Sequence, residues 1–346
     1  MQDISASPEY IQTSLAGAMC LGLERGKFLR NARSTCLNLL LTYSSGCRAA
    51  CSYCGLNRYR EIDSSQTFIR VKWPTYALEE VIHQLQVHKH PFKRMCLSMI
   101  THAKAVEDSC AIIAKFNREI KDIPISALIS PSVMEGKKDL LRLKEAGVER
   151  IGIAIDAATP SLFEKFRGRE VGGPHKWEKY WQTIEEAVEI FGPYKVGAHF
   201  IVGLGESEQE MVNIISQAYE RKVLTHLFSF YPEAGSPMEN YPQPSMGQYR
   251  RIQLARYLIN EVCINPAIIE FNKNGQVIDF GIDLEEFLPS GLAFMTSGCP
   301  GADGKVACNR PFANERVNQP LRNYPFVPDE DDMSMVRSQL WEGLEQ

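Results

Sequence analysis

Short apolar runs alternate along most of the chain with stretches in which apolar residues recur every three or four positions. The runs predict strands over 37–43, 95–100, 125–129, 150–155, 196–202 and 227–231, and the spaced pattern predicts helices over 76–88, 105–120, 137–146, 177–191, 206–221 and 248–262. Strands that each lead into a helix pair in parallel through right-handed crossovers. The fold class is therefore α/β, with six units forming a closed or partial barrel or a doubly wound sheet. Beyond residue 264 the pattern weakens to two short candidate strands, 268–271 and 276–280, and a tail rich in Pro, Asn and Gly whose acidic run 329–332 reads as a solvated terminus. The organisation expected is an N-terminal helical extension over 1–36, a (β/α) unit over 37–264 and a C-terminal extension over 265–346.

Composition narrows the function classes. With 44% hydrophobic and 23% charged residues the chain is globular rather than disordered. A net charge of −4 and the lack of any run of five or more Lys or Arg give no footprint for nucleic acid. Residues 1–10 carry Asp3 and Glu9 and lack the basic and apolar regions of a secretory signal, and no run approaches the roughly 20 apolar residues of a membrane span. A cytoplasmic protein with no membrane partner is expected, and its ten cysteines are read as reduced, with clustered ones as metal ligands first.

Directly after the first strand the sequence Cys47-Arg48-Ala49-Ala50-Cys51-Ser52-Tyr53-Cys54 sets three thiols within eight residues. Zinc usually takes a closed set of four ligands, and no fourth Cys or His lies nearby, so an iron–sulfur cluster is the better reading. Three ligands on a cubane of four irons leave one iron open to chelate the amino and carboxylate groups of a small molecule. With Tyr53 before the third cysteine, this motif resembles that of the radical S-adenosylmethionine (SAM) enzymes, and the resemblance runs from about residue 37 to 231. It implies a TIM-barrel-like radical SAM (β/α) barrel, partial or full, with irregular N- and C-terminal extensions. It also implies a [4Fe-4S] cluster on Cys47, Cys51 and Cys54 with exchangeable SAM, an electron donor such as ferredoxin or flavodoxin, and no catalytic residue beyond the cluster ligands. The segment Phe200-Ile201-Val202-Gly203-Leu204-Gly205-Glu206 is similar to the fifth-strand backbone that lies against adenine in these enzymes. Asp156 stands where the family's fourth strand reaches the ribose. The plain alternatives are a strand-to-helix turn for the glycines and a helix cap for Asp156. Arg167 and Arg169 are read either as a helix C-terminal device or as a clamp for the SAM carboxylate. The second strand ends Ser98-Met99-Ile100-Thr101-His102 without the family's Gly-Gly-Glu, so the SAM amino group falls to backbone or hydroxyl groups.

Within the superfamily the chain resembles the biotin synthase-like branch. Cys96 matches one ligand of the second cluster in biotin synthase, but Ser126 and Gly197 stand where that enzyme has further cysteines, which disfavours biotin synthase itself. The tail, with Cys299-Pro300, Cys308-Asn309-Arg310-Pro311 and Asn323-Tyr324-Pro325, and the lead-in Cys36-Leu37-Asn38, look like the two-protein lipoyl synthases. That resemblance implies an auxiliary iron–sulfur cluster on Cys36, Cys299 and Cys308, sulfur insertion into an octanoyl chain on a lipoyl-carrier protein domain, and a second lipoyl synthase protein as partner. Cys36 and Cys47 flank a strand of about seven residues, some 20 Å, and cannot share a cluster. A fourth position falls to Ser290, Ser297 or Cys20. Cys96, Cys110 and Cys263 sit on apolar positions and read as core, His102 and His175 as loop histidines, and Trp177 and Trp181 as packing. The competing readings are another biotin synthase-like chemistry, such as a carbon-skeleton rearrangement or cluster maturation, and a non-enzymatic iron–sulfur or zinc protein.

Overall fold

The computed structural model describes residues 5–60, 70–313, 315, 317 and 319–345. The N-terminal segment gives β1 (Tyr10–Thr13) and α1 (Leu15–Cys20) before the first strand of the series, β2 (Cys36–Leu40). A short β3 (Thr75–Ala77) runs into α2 (Leu78–Val87), and the repeat proceeds through β4 (Arg94–Ser98), α3 (Ala105–Glu119), β5 (Ile125–Ile129), α4 (Lys137–Ala146) and β6 (Val148–Asp156). After α5 (Pro160–Phe166) and α6 (Trp177–Phe191) come β7 (Val196–Val202), α7 (Glu208–Glu220), β8 (Leu224–Ser229) and α8 (Met246–Tyr257). The sheet order is β3-β1-β2-β4-β5-β6-β7-β8. The last six strands of that order are mutually parallel, while β1 runs antiparallel to both neighbours. The architecture is a partial barrel of six βα units with an antiparallel edge, not a closed one.

Register decides which side chains meet inside. Paired residues of parallel neighbours face the same side and alternate along each strand. Thus Asn38 with Cys96 and Ser126, and Leu40 with Ser98 and Leu128, face the concave side. The intervening Leu37, Leu39, Met95, Leu97, Ile125 and Ala127 are buried beneath the helices.

Three differences from the sequence-based expectation have physical reasons. The N-terminal segment is not simply helical, because β1 finds an open edge on β2 and pairs with it. Helix α5 has only seven residues and carries no long periodic pattern; the Thr159 side chain caps it and Pro160 sits in its first turn, where the missing N–H costs nothing. The acidic run is not a loose end. Asp329 and Asp332 form a reciprocal capping box that starts α9 (Glu330–Leu340). The two weak strands upstream exist as a small separate ribbon, β9 (Glu270–Phe271) and β10 (Val277–Asp279).

Helix α8 is buried on nearly every side, including Arg250 and Arg251, because the C-terminal extension lies over it. Arg251 is 0% exposed, and its guanidinium meets Glu208 through Nη2 to Oε1 at 2.7 Å and Nε to Oε2 at 2.9 Å. It also donates to the carbonyls of Leu340 and Glu342, and Glu208 accepts from the Val277 N–H. One ion pair thus ties α7, α8, β10 and the end of α9 together. Arg251→Ala should lower the unfolding free energy by about 3–5 kcal/mol, since it strands a buried carboxylate. Chemical denaturation checks this, and a loss below 1 kcal/mol would show that the tail docks without the pair.

Candidate active site

The loop after β2 is held in place by backbone bonds to several parts of the barrel rim. Arg48 N–H donates to the Thr101 carbonyl, Ser52 N–H to Phe166 and Met238 N–H to Ser52. Within the loop, the Asn57 side chain donates to the Cys51 carbonyl, and the sulfurs of Cys47 and Cys54 accept from the N–H groups of Ala49 and Leu56 at 3.4 Å. His102 supports the loop rather than reaching the cavity: it stacks on Tyr43 at 3.7 Å and meets the Ser45 hydroxyl, while Tyr43 donates to Asp108.

Cys47, Cys51 and Cys54 line one end of a cavity of about 260 Å³ on the concave side of the sheet. Burial pushes the Cys51 thiol up to about 12 and raises Cys54 as well. Cations are therefore required to make these groups thiolates. Among the described residues no three His, Cys, Asp or Glu side chains gather round a single-ion position. A multi-iron cluster, in which each sulfur takes a different iron, fits this spread donor set.

Asp156 ends β6 with a left-handed φ of 68°, at a point where the pairing with β7 shifts register. Its carboxylate receives the Tyr53 hydroxyl and Arg167 Nη1, both at 2.6 Å. Arg167 continues to the Tyr180 hydroxyl, which with Ser132 meets His175 Nδ1. The sequence pointed to Tyr53 and Asp156 but not to this network. Arg167 turns inward from the end of α5, whereas Arg169 is exposed. Burial, then Arg167, holds His175 down to about 2, so it stays neutral. Its folded value lies below the unfolded 6.5, so its contribution to stability is present above pH 6.5 and lost as the solution is acidified. His175→Asn should therefore gain on the wild type by about 1.4 kcal/mol for each pH unit below 6.5. Urea titrations of both proteins at pH 7 and pH 5 measure this; an unchanged difference would contradict it.

Ile201 lines the cavity, and beyond β7 the turn carries Gly203 and Gly205 at φ of 105° and 113°. A Cβ on Gly203 would fall 2.6 Å from Pro244 Cδ. Glu206, to which the sequence reading gave no role, clamps this turn by accepting from the N–H groups of Gly203 and Leu204. Burial raises its carboxyl to about 7. Near the second strand Ser98, Thr101 and Ser130 line the cavity, the Thr101 and Ser130 hydroxyls bonded to each other at 3.1 Å.

A second thiol group lies at the amino ends of the strands. The Cys308 sulfur lies 3.7 Å from Asn38 Oδ1, and the neighbouring Cys308 thiol first, then burial, hold the Cys36 thiol well above its ordinary range, with Cys96 and Cys299 adding to the effect. Cys299 and Cys308 meet through a hairpin: the Ala307 and Cys308 N–H groups both donate to the Cys299 carbonyl, and Gly301 N–H donates to Lys305. The stretch that separates the two cysteines in sequence is the turn that joins them in space. Cys96, read from its apolar neighbours as core, faces this cavity instead, as does Cys308. Arg310 lies beside them, its guanidinium 4.0 Å over the Phe228 ring. Ser297 Oγ accepts from Leu227 N–H, Ser290 is exposed and bonded to Phe287, and Cys20 sits in α1 near Ser34. At Gly197 a Cβ would meet His226 Nε2 at 2.8 Å, so the fifth strand has no room for a thiol there.

A parallel α/β arc with a three-thiol loop at the carboxyl end of its first strand, opening on an internal cavity, defines a cofactor-dependent enzyme with its site at the strand ends. The model of the Radical SAM superfamily matches residues 41–218, just over half of the chain, and the protein belongs to that superfamily. Membership implies a [4Fe-4S] cluster and SAM. The chain is 32% identical to GTP 3',8-cyclase of Microcystis aeruginosa over 91 residues, 26% of each protein, so the match spans about a quarter of that relative. It is 21% identical to biotin synthase of Hydrogenobaculum sp. over 244 residues, 68% of this chain and 67% of that one. Among solved structures, methylornithine synthase is similar at a TM-score of 0.49 and 18% identity, covering 65% of this chain and 64% of that one. HydG, a maturase of the [FeFe]-hydrogenase, is similar at a TM-score of 0.49 and 14% identity, covering 70% and 57%. Among the described residues no helix is long and apolar enough to cross a membrane.

Proposed function

We propose that this radical SAM enzyme inserts sulfur into an octanoyl chain carried on a lipoyl-carrier protein domain, as one subunit of a two-protein lipoyl synthase. The observation that carries the reading is one cavity lined by two sets of thiols, Cys47, Cys51 and Cys54 of the loop and, towards the other strand ends, Cys96 and Cys308, the latter on the hairpin that also carries Cys299. When bound, the SAM-ligated cluster supplies reductive cleavage of SAM and removal of a hydrogen atom from carbon, and an auxiliary cluster supplies sulfide. The chain's own residues hold and confine the reactants. Tyr53 and Arg167 fix the Asp156 carboxylate beside the loop, which suits a ribose diol, and Glu206 fixes the Gly203 turn for an adenine edge. Leu40, Met99, Leu128, Ile129, Ile201 and Phe228 give the wall between the two ends an apolar surface, suited to an aliphatic chain and to excluding water. The partners under this reading are the octanoylated carrier domain, a second lipoyl synthase protein and a one-electron donor such as ferredoxin or flavodoxin.

The test is anaerobic incubation of the reconstituted protein with SAM, reductant and an octanoyl-lysine acceptor, followed by mass spectrometry. The expected product carries one sulfur, in about one turnover, since a cluster that gives up sulfide must be rebuilt; the doubly thiolated product should require the partner. SAM consumption with no sulfur on the acceptor would reject this reading in favour of another biotin synthase-like chemistry.

A further inference from the structure

We propose that two glycine seats, Gly152 and Gly197, and the imidazoles of His199 and His226 that rest on them form the floor against which the methyl end of the acyl chain stops, so that this layer sets the chain length the enzyme accepts. The inference rests on the proposed function and adds what fixes the length of its substrate.

Strand register builds the layer. Gly152 of β6 pairs with Leu128 of β5 and with Gly197 of β7, which continues the concave row of Leu40, Ser98 and Leu128. Two consecutive strands therefore put no side chain into that row. Two residues further on, His199 of β7 pairs with His226 of β8, and diagonal neighbours on adjacent strands lie within reach of long side chains. Each imidazole leans back over the glycine of the strand before it. A Cβ on Gly152 would stand 3.3 Å from His199 Nε2, and one on Gly197 would stand 2.8 Å from His226 Nε2. The two rings meet at 5.3 Å between centroids, and His199 borders the Phe228 ring at 5.4 Å. Leu128, His199 and Phe228 line the cavity, whereas His226 is buried behind them, so the space ends at His199.

This floor suits an alkyl end. Burial, then Arg310, holds His199 down to about 3, and burial first also lowers His226, so both rings are neutral near pH 7. An alkyl terminus placed there has no charged floor to desolvate. Arg310 is engaged to one side, its guanidinium 4.0 Å over the Phe228 ring and donating to the Ser297 carbonyl. The level fits the chemistry too. A cavity of about 260 Å³ admits no protein domain, so a carrier-borne chain enters methyl end first. The Gly152 row stands two residues, about 7 Å, beyond the row of Cys96, and four residues, about 13 Å, short of Asp156, which Tyr53 ties to the cysteine loop. The last carbons of the chain thus stop between the two sets of thiols.

The floor can be moved in either direction. His199→Ala removes the ring and deepens the cavity. Gly152→Ala raises the floor, because the added Cβ would press on His199 Nε2 at 3.3 Å and on Leu128 Cδ1 at 3.1 Å, both cavity-lining side chains.

The test reads binding, not turnover: calorimetric titration of the anaerobically reconstituted full chain, with SAM and no reductant, against lysine amides carrying hexanoyl, octanoyl or decanoyl groups. Each buried methylene adds about fourfold in affinity, so the wild type should bind octanoyl about tenfold more tightly than hexanoyl and gain nothing from decanoyl. In His199→Ala, decanoyl should overtake octanoyl by about tenfold, and in Gly152→Ala the advantage of octanoyl over hexanoyl should vanish. Circular dichroism should show both variants folded, and if one is not, the other decides. Wild-type affinity ratios in the folded variants would overturn the floor and leave the proposed function standing. If the wild type binds none of the three amides, the octanoyl reading is rejected and this inference with it.

Discussion

Cys51→Ala should abolish reductive cleavage of SAM to 5′-deoxyadenosine while leaving the protein folded. Cys51 is buried with its carbonyl pinned by Asn57, and Cys54 N–H donates back to that carbonyl, so the loop geometry does not depend on the sulfur. No other thiol can replace it. The remaining cysteines that face the cavity, Cys96 and Cys308, belong to the strand end where Cys36 and Cys299 lie. Chromatography of the nucleoside product under strong reductant measures the effect. Retained 5′-deoxyadenosine formation at the wild-type rate would mean that the loop does not hold the cleaving cluster.

The converse result is expected at the other end. Cys308→Ala should remove roughly half of the iron and stop transfer of sulfur to the octanoyl acceptor, yet leave SAM cleavage measurable. Its partner Cys36 first, and then Arg310 and Arg94, lower the Cys308 thiol against the opposing effect of burial. Its loss should be local, because the neighbouring Asn309 anchors the tail through Thr35, Arg33 and Pro325 whatever stands at 308. Paired iron and nucleoside assays separate the two roles. Full iron and full thiolation in this variant would make the tail cysteines structural.

The sequence made the six βα units legible because strand and helix periods differ and each unit buries one face on a common sheet. Strand ends were less legible. The apolar run through Tyr43 continues past Leu40, but β2 stops there since Tyr43 turns aside to stack on His102 and reach Asp108. The additions at the edges, β1 and α9, depend on what they dock against, and their own sequences carry little period. The cysteine loop was visible as spacing alone. Arg167 was seen only as an alternative and Glu206 not at all, because their partners, Asp156 and the Gly203 turn, are fixed by tertiary approach. Cys96 was read two ways, as a match to a second-cluster ligand of biotin synthase and, from its apolar strand neighbours, as core. An apolar strand context reports burial, and burial does not distinguish a thiol inside the helix-facing core from one that faces an internal cavity.

The central claim is that one cavity separates two iron–sulfur clusters, and counting iron and acid-labile sulfide in the anaerobically reconstituted wild-type chain tests it most directly. About eight of each per chain is the predicted result. About four of each, with SAM cleavage intact, would contradict it and leave a radical SAM enzyme with a single cluster.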